Sequence, residues 1–195
     1  MAETPSSMLG LGTCAPHFRL RDAVTGREVS IGDFDGAAAL LVMFICNHCP
    51  FVIHVREQLG RLARDYEGRI SIVAINSNSL DSHPQDGPEH MRELALAEGW
   101  KFPFLFDSTQ RVARAYRAAC TPDFFLFDGD RRLTYRGQLD DSRPTSRTPV
   151  TGRDLRAAID ATLEGKAPSP EQRPSIGCNI KWSHGNEPDA SASAR

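Results

Sequence analysis

The sequence predicts an α/β fold built on a mixed central sheet, with an N-terminal β-hairpin extension and a C-terminal tail. Three observations carry that prediction. Residues 38–45 are a continuous apolar run of strand length, as expected of a central strand buried on both faces, and 69–76, through Ile70-Ser71-Ile72-Val73-Ala74-Ile75, is a second apolar strand. Between them Val52, Val55, Leu59, Leu62 and Ala63 form the stripe of an amphipathic helix, so strand, helix and strand follow in the order of a right-handed parallel crossover. Further on, Asp128-Gly129-Asp130 is turn chemistry between two strand-like runs, 123–127 and 132–136, which reads as an antiparallel hairpin.

Taken in order, the chain opens with a Ser/Gly-rich lead, residues 1–12, expected to be flexible. The alternation in Pro16-His17-Phe18-Arg19-Leu20 is answered by Glu28-Val29-Ser30-Ile31 across Ala23-Val24-Thr25-Gly26, a small β-hairpin. Residues 33–36 are a turn into the first apolar run, which ends in Cys46-Asn47-His48-Cys49-Pro50. Proline suits a first helical turn, so the helix starts at Pro50 and ends near Tyr66 and Gly68. After a loop at 77–86, Gly87-Pro88-Glu89 opens a helix through Met91, Leu94 and Leu96 to Gly99. A short strand at 102–106 and a short helix at 109–119, with Val112, Ala113 and Tyr116 inward, lead to Thr121-Pro122, directly before the hairpin. Residues 140–148 are a polar loop, and Thr151-Gly152-Arg153-Asp154 is expected to cap a last helix through Leu155, Ile159 and Leu163 to Gly165. One domain, 13–166, is therefore predicted. An extended Pro-rich tail follows at 167–195, interrupted by Ile176-Gly177-Cys178-Asn179-Ile180-Lys181-Trp182 and expected to be disordered from 187 onward.

Composition narrows the function. With 195 residues, 40% of them hydrophobic, the chain can bury one substantial core. A net charge of −2 and a pI near 6.3 give no electrostatic reason to expect nucleic acid or an anionic membrane as partner. No run of about eighteen apolar residues exists, and residues 1–12 lack a basic-then-apolar leader, so a cytoplasmic protein is expected. In that reducing setting the five cysteines read as redox groups, metal ligands or small buried hydrophobes, and their spacing decides between these.

Cys46 and Cys49 are spaced C-x-x-C at the junction of strand and helix, with Cys46 on the turn and Cys49 expected in the first helical turn. Unpaired backbone N–H groups and the helix dipole favour a thiolate there. An ordinary thiol is only about 3% ionised at pH 7, whereas a pKa near 6.5 makes it roughly three-quarters thiolate. His48, between the two, is a candidate positive partner for Cys46. The competing reading is a metal site in which Cys46, Cys49 and His54 bind zinc with His48 or Cys178 as a fourth ligand, or copper carriage by the two thiolates and a histidine. Neither a second C-x-x-C nor an H-x-x-x-H supports it, and no metal or cofactor is expected.

This order of elements, with Thr-Pro leading into the final hairpin and helix, resembles the thioredoxin fold, a three-layer α/β/α arrangement. The lead Ala15-Pro16-His17-Phe18-Arg19-Leu20 and its hairpin resemble the extension found in peroxiredoxins and membrane-anchored thioredoxins. Most closely, the chain resembles the peroxiredoxin-like thioredoxin proteins, over about residues 12–187. Its likeness lies in Cys46-Asn47-His48-Cys49-Pro50-Phe51, Cys120-Thr121-Pro122-Asp123-Phe124-Phe125 and Pro174-Ser175-Ile176-Gly177-Cys178-Asn179-Ile180-Lys181-Trp182. The resemblance implies that Cys46 and Cys49 are the catalytic pair and that Pro122 is a cis-proline facing them. The Thr121 backbone beside it would then be free to hydrogen-bond an extended substrate. Disulfide isomerases and periplasmic disulfide oxidases also carry His at the place of His48.

The chain departs from each parent pattern. Peroxiredoxins have Thr or Ser three residues, and Pro seven, before the peroxidatic cysteine; here those positions hold Cys46 and Val42 ahead of Cys49, and Met43 and Ala39 ahead of Cys46. Thioredoxins have Trp before the first cysteine and a buried acid on the preceding strand, where this chain has Ile45 and an acid-free run at 37–45. The proton acceptor for Cys49 is thus not visible.

The expected function is thiol–disulfide oxidoreduction through the Cys46/Cys49 dithiol. The alternatives are a thiol-dependent hydroperoxide reductase, as a peroxiredoxin-like antioxidant, and a non-catalytic metal-binding or interaction protein. The expected partners are a protein or small-molecule disulfide, or a hydroperoxide, together with a thiol reductant, and the oligomeric state stays open. Cys178 is a possible third cysteine, a relay if the tail folds over the site and a packed, inert thiol otherwise. Cys120 is expected as a small buried hydrophobe. Cys14 reads as incidental, His54 and Glu57 as helix surface, and Asp140-Asp141-Ser142-Arg143 as a charged loop.

Overall fold

The computed structural model describes residues 3–188; of the disorder expected from 187 onward, the part at 189–195 lies outside that range. In chain order the elements are β1 (Glu3–Pro5), β2 (Arg19–Asp22), β3 (Glu28–Ser30), β4 (Ala39–Phe44), α1 (Pro50–Asp65), β5 (Ser71–Asn76), α2 (Pro88–Ala97), β6 (Phe104–Phe106) and α3 (Arg111–Tyr116). They continue with β7 (Cys120–Thr121), β8 (Asp123–Asp128), β9 (Leu133–Gly137), α4 (Arg153–Leu163) and β10 (Ile176–Asn179). The main sheet runs β3-β2-β6-β5-β4-β8-β9 and is mixed: β4, β5 and β6 are parallel, while β8, β9 and the β2–β3 hairpin pair antiparallel. This is a thioredoxin-like fold.

The alternation of side chains along β4 explains why this strand is central. Ala39, Leu41, Met43 and Ile45 join a core formed with Val52, Val55, Leu59 and Leu62 of α1 and Leu155, Ala158 and Ile159 of α4. Leu40, Val42 and Phe44 join the opposite core, with Val112, Ala113 and Tyr116 of α3 and with Phe18 and Ile31 of the N-terminal extension. Both faces being covered, every β4 residue is buried and its sequence is apolar throughout.

Three expectations change. The lead is not free: β1 pairs antiparallel with β10, and β10 pairs with β7, so both ends of the chain form a second, three-stranded sheet. Backbone groups of a polar segment still need partners once buried, and the tail strand supplies them. Cys49 is the N-cap of α1, one position before the helix, because Pro50 takes the first helical position where its missing N–H costs nothing. Helix α4 has Gly152, within the expected stretch, as its N-cap, and the Thr151 hydroxyl accepts the Arg153 amide, but the segment leading into it is also held from outside. The buried carboxylate of Asp140 accepts the Thr151 and Gly152 amides, 2.6 Å each, so part of the expected charged loop is a structural cap. No described helix is long and apolar enough to cross a membrane.

Candidate redox site

The end of β4 and the N-terminus of α1 place Cys46 and Cys49 on one short turn, and the Thr121–Pro122 peptide, which is cis, faces it. Thr121 contacts both cysteines. Its hydroxyl lies 3.3 Å from Cys46 Sγ, and its carbonyl accepts the Cys49 thiol at 3.0 Å. Both cysteines have zero fractional exposure.

The two sulfurs also hydrogen-bond to each other, which splits their proton affinities. Cys49 is lowered to about 5, first by the hydrogen bond from Cys46 and, against the cost of burial, by those from Cys178 and Thr121. Cys46 is pushed well above an ordinary thiol by the same bond to Cys49, by burial and by the Asp86 charge, with the Thr121 hydroxyl acting the other way. The pair therefore shares one charge: the helix N-terminus favours it on Cys49, whereas the Thr121 carbonyl, which accepts the Cys49 thiol, favours it on Cys46.

His48 lies 4.0 Å from Cys46 Sγ through Nδ1, and the same nitrogen is 2.7 Å from Asp86 Oδ2. An imidazole nitrogen that donates to a carboxylate carries its hydrogen, so Nδ1 spends that hydrogen on Asp86 and is not a base toward Cys46. Stacking on His83, with ring centroids 4.6 Å apart, holds the other face of His48. Asp86 is wholly buried and accepts the Asn47 amide at 3.0 Å and Asn78 Nδ2 at 2.8 Å, so it pins the turn from the loop before α2. Asp86 had no sequence signature; it is an acid in a turn-rich loop, brought to the site only by the fold.

A second hidden acid is Asp123, directly after the cis-proline. Its burial is complete and pushes its carboxyl up to about 7. Oδ2 accepts the Ala119 amide at 3.2 Å, whereas Oδ1 has no partner among the described residues. Its charge bears on Cys120 rather than on Cys49. The position is taken from the strand after the proline, not from the strand before the cysteines where thioredoxins keep their acid.

The tail contributes directly. Cys178 in β10 is paired in register with Thr121, is buried, and hydrogen-bonds to Cys49. A Cβ on Gly177 would run into the Thr121 carbonyl oxygen, so glycine there is what lets the strand come this close. The Thr121 edge expected to receive an extended substrate is therefore occupied by the chain's own β10. Cys120 behaves as expected: it is fully buried, and its thiol turns to the carbonyls of Pro122 and Ser175.

The metal reading based on His54 is not assembled. His54 Nε2 faces the Ser142 hydroxyl at 3.1 Å. The ligand-type atoms that do cluster among the described residues are those of Cys46, His48 and Asp86, all within 4.8 Å of one another. Their contacts are already satisfied by the hydrogen bonds above, with Asp86 shared among three donors.

Comparison with known proteins gives the family and the fold. The family model described as Redoxin matches residues 11–155. No curated protein matches the chain. Among solved structures it is similar to an uncharacterized conserved protein from Geobacillus kaustophilus, at 52% identity and a TM-score of 0.92, covering 94% of this chain and 98% of that one. It is equally similar to a hypothetical protein from Sinorhizobium meliloti 1021, at 51% identity and a TM-score of 0.91, covering 93% and 100% of the two chains. A secreted Mycobacterium tuberculosis disulfide oxidoreductase homologous to E. coli DsbE shares the fold at 15% identity, with a TM-score of 0.57 over 74% of this chain and 95% of that one.

Proposed function

The chain belongs to the Redoxin family, and from that premise of thiol-based redox chemistry we propose that it is a thiol–disulfide oxidoreductase cycling Cys46 and Cys49 between dithiol and disulfide. The observation that carries the reading is the placement of both buried sulfurs at the N-terminus of α1, with the residue before the cis-proline, Thr121, touching each of them.

The cycle starts with a proton moving from Cys46 to the Cys49 thiolate, along the hydrogen bond they share. Cys49 then donates to the Thr121 carbonyl, and the new Cys46 thiolate is held by the Thr121 hydroxyl. Cys46 attacks one sulfur of a substrate disulfide, forming a mixed disulfide and expelling the first substrate thiolate. Cys49 next attacks the Cys46 sulfur, closing the Cys46–Cys49 bond and expelling the second thiolate. Two equivalents of an external thiol reductant restore the dithiol. Because β10 fills the Thr121 edge, the reading favours a small-molecule disulfide over an extended peptide. A cytoplasmic location is part of the proposal.

The Thr121 hydroxyl beside Cys46 favours a second reading, hydroperoxide reduction. There Cys46 takes the terminal peroxide oxygen as a sulfenic acid, releasing an alcohol, and Cys49 displaces water to give the same disulfide.

Single-turnover mixing of reduced protein with oxidised glutathione and, separately, with hydrogen peroxide tests both. The expected result is oxidation of the pair by the disulfide faster than that of a free thiol, with Cys49→Ser trapping glutathione on Cys46. Oxidation by peroxide alone would move the assignment to the second reading. Reaction no faster than a free thiol with either reagent would sink both.

A further inference from the structure

The dithiol reading uses two sulfurs, yet a third lies against them. Cys178 comes from the far end of the chain, 129 positions beyond Cys49, and its thiol hydrogen-bonds to Cys49. Three independent features place it there. Strand β10 is held between β1 and β7, with Cys178 opposite Thr121. Gly177 permits the close approach to the Thr121 carbonyl. Cys46, Cys49 and Cys178 all turn into the same apolar core, on the α1 side of the sheet.

Thr121 is the common neighbour, touching Cys46 through its hydroxyl, Cys49 through its carbonyl and Cys178 through strand register. Cys120 is the internal contrast. It sits in the same small sheet, equally buried, but its thiol is taken up by two backbone carbonyls. Packing alone accounts for Cys120; it does not account for a sulfur aimed at the reacting pair.

We infer that Cys178 is a relay thiol that attacks the Cys49 sulfur of the Cys46–Cys49 disulfide, so that the oxidised protein rests with a Cys49–Cys178 bond. The inference rests on the dithiol reading above. In the step, the Cys178–Cys49 bond forms as the Cys49–Cys46 bond breaks. Cys46 leaves as a thiolate toward the Thr121 hydroxyl, and the proton lost by Cys178 ends on Cys46. One disulfide replaces another, so no electrons are exchanged and no further oxidant is needed. Two consequences follow: the sulfur that meets substrate is freed while the oxidising equivalents wait elsewhere, and the tail becomes covalently tied to the start of α1.

The test is disulfide mapping of the full chain. Reduced protein receives one equivalent of oxidised glutathione or hydrogen peroxide, is quenched by acid, alkylated, digested without reductant and read by mass spectrometry. The expected product is the Cys49–Cys178 linkage as the major species, with Cys46 alkylated. Cys178→Ser should stop at Cys46–Cys49, and Cys120→Ser should map like the parent. A parent protein that ends at Cys46–Cys49 overturns the relay while leaving the dithiol reading standing. A parent with no disulfide among the three sulfurs, despite consuming oxidant, overturns the dithiol reading and the relay together. The parent measurement needs no variant, so poor folding of a substituted protein does not blunt it.

Discussion

Asp123 is a wholly buried carboxyl with one oxygen unpartnered, and its titration should be visible in the stability of the whole chain. Its folded-state value is raised from 3.8 to about 7 by burial, so the fold prefers the neutral acid. The associated stability is complete below about pH 4 and is lost as pH rises through 7, a difference of order 4 kcal/mol over three units. Asp123→Asn should remove that slope: relative to the parent, urea denaturation between pH 4 and 7 should show stability falling less with rising pH. A variant with the parent's slope would mean that Asp123 is not the titrating group. At Cys49 the sign is opposite, since the anion is favoured. Reduced protein should show a thiolate absorbance step at 240 nm centred near pH 5, absent in Cys49→Ser. Because the Cys46 hydrogen bond is the largest cause of the lowering, Cys46→Ala, which leaves no donor there, should move the step upward; an unmoved step would assign the lowering to Cys178, Thr121 and the helix terminus.

The elements that matter most are the shortest. Strand β7 has two residues, β10 has four and β1 has three, yet together they close one side of the cysteine pair. Gly177 is the point where this small sheet is least tolerant. Gly177→Ala drives a methyl group into the Thr121 carbonyl and should cost about 1–3 kcal/mol of the tail's docking. Limited proteolysis should then cut residues 167–175 faster than in the parent, and peptide disulfides should become substrates as the Thr121 edge is uncovered. A variant with unchanged cleavage would show that β10 docks without this contact. Asp86 plays the corresponding part on the other side, joining the turn to the loop before α2 through Asn47 and His48.

At the scale of the whole molecule, the two ends of the chain cover the site that the middle of the chain builds. Ile180 is buried in the α3-side core and Trp182 packs against it, so the tail is anchored on that side while Cys178 joins the core on the α1 side. Deleting residues 175–195 should lower thermal stability and expose sulfurs that have zero accessibility in the full chain. The check is the rate of iodoacetamide labelling at Cys46 and Cys49 at fixed pH, expected to rise sharply; labelling as slow as in the full chain would place the barrier in the His48–His83 face instead.

The sequence by itself determined the main sheet, the crossover helix α1 and the C-x-x-C junction, because each is written in local pattern: apolar runs at 38–45 and 69–76, the Val52-to-Leu62 stripe, and Pro50 behind Cys49. It also determined the likeness to thioredoxin-fold proteins, through motifs that need no distant partner. What only the tertiary structure decided was the chemistry around the pair. Asp86 and the Thr121–Asp123 stretch come from separate parts of the chain, and neither acid repeats or alternates in a way that marks it. Cys178 was visible as a cysteine but not as a neighbour, since its approach depends on a glycine, a strand register and a tail anchored by Ile180 and Trp182. Local periodicity records which face a residue presents to the core. Proton affinity and sulfur-to-sulfur contact depend on which distant groups meet there, and that is settled only when the chain's two ends fold back onto its centre.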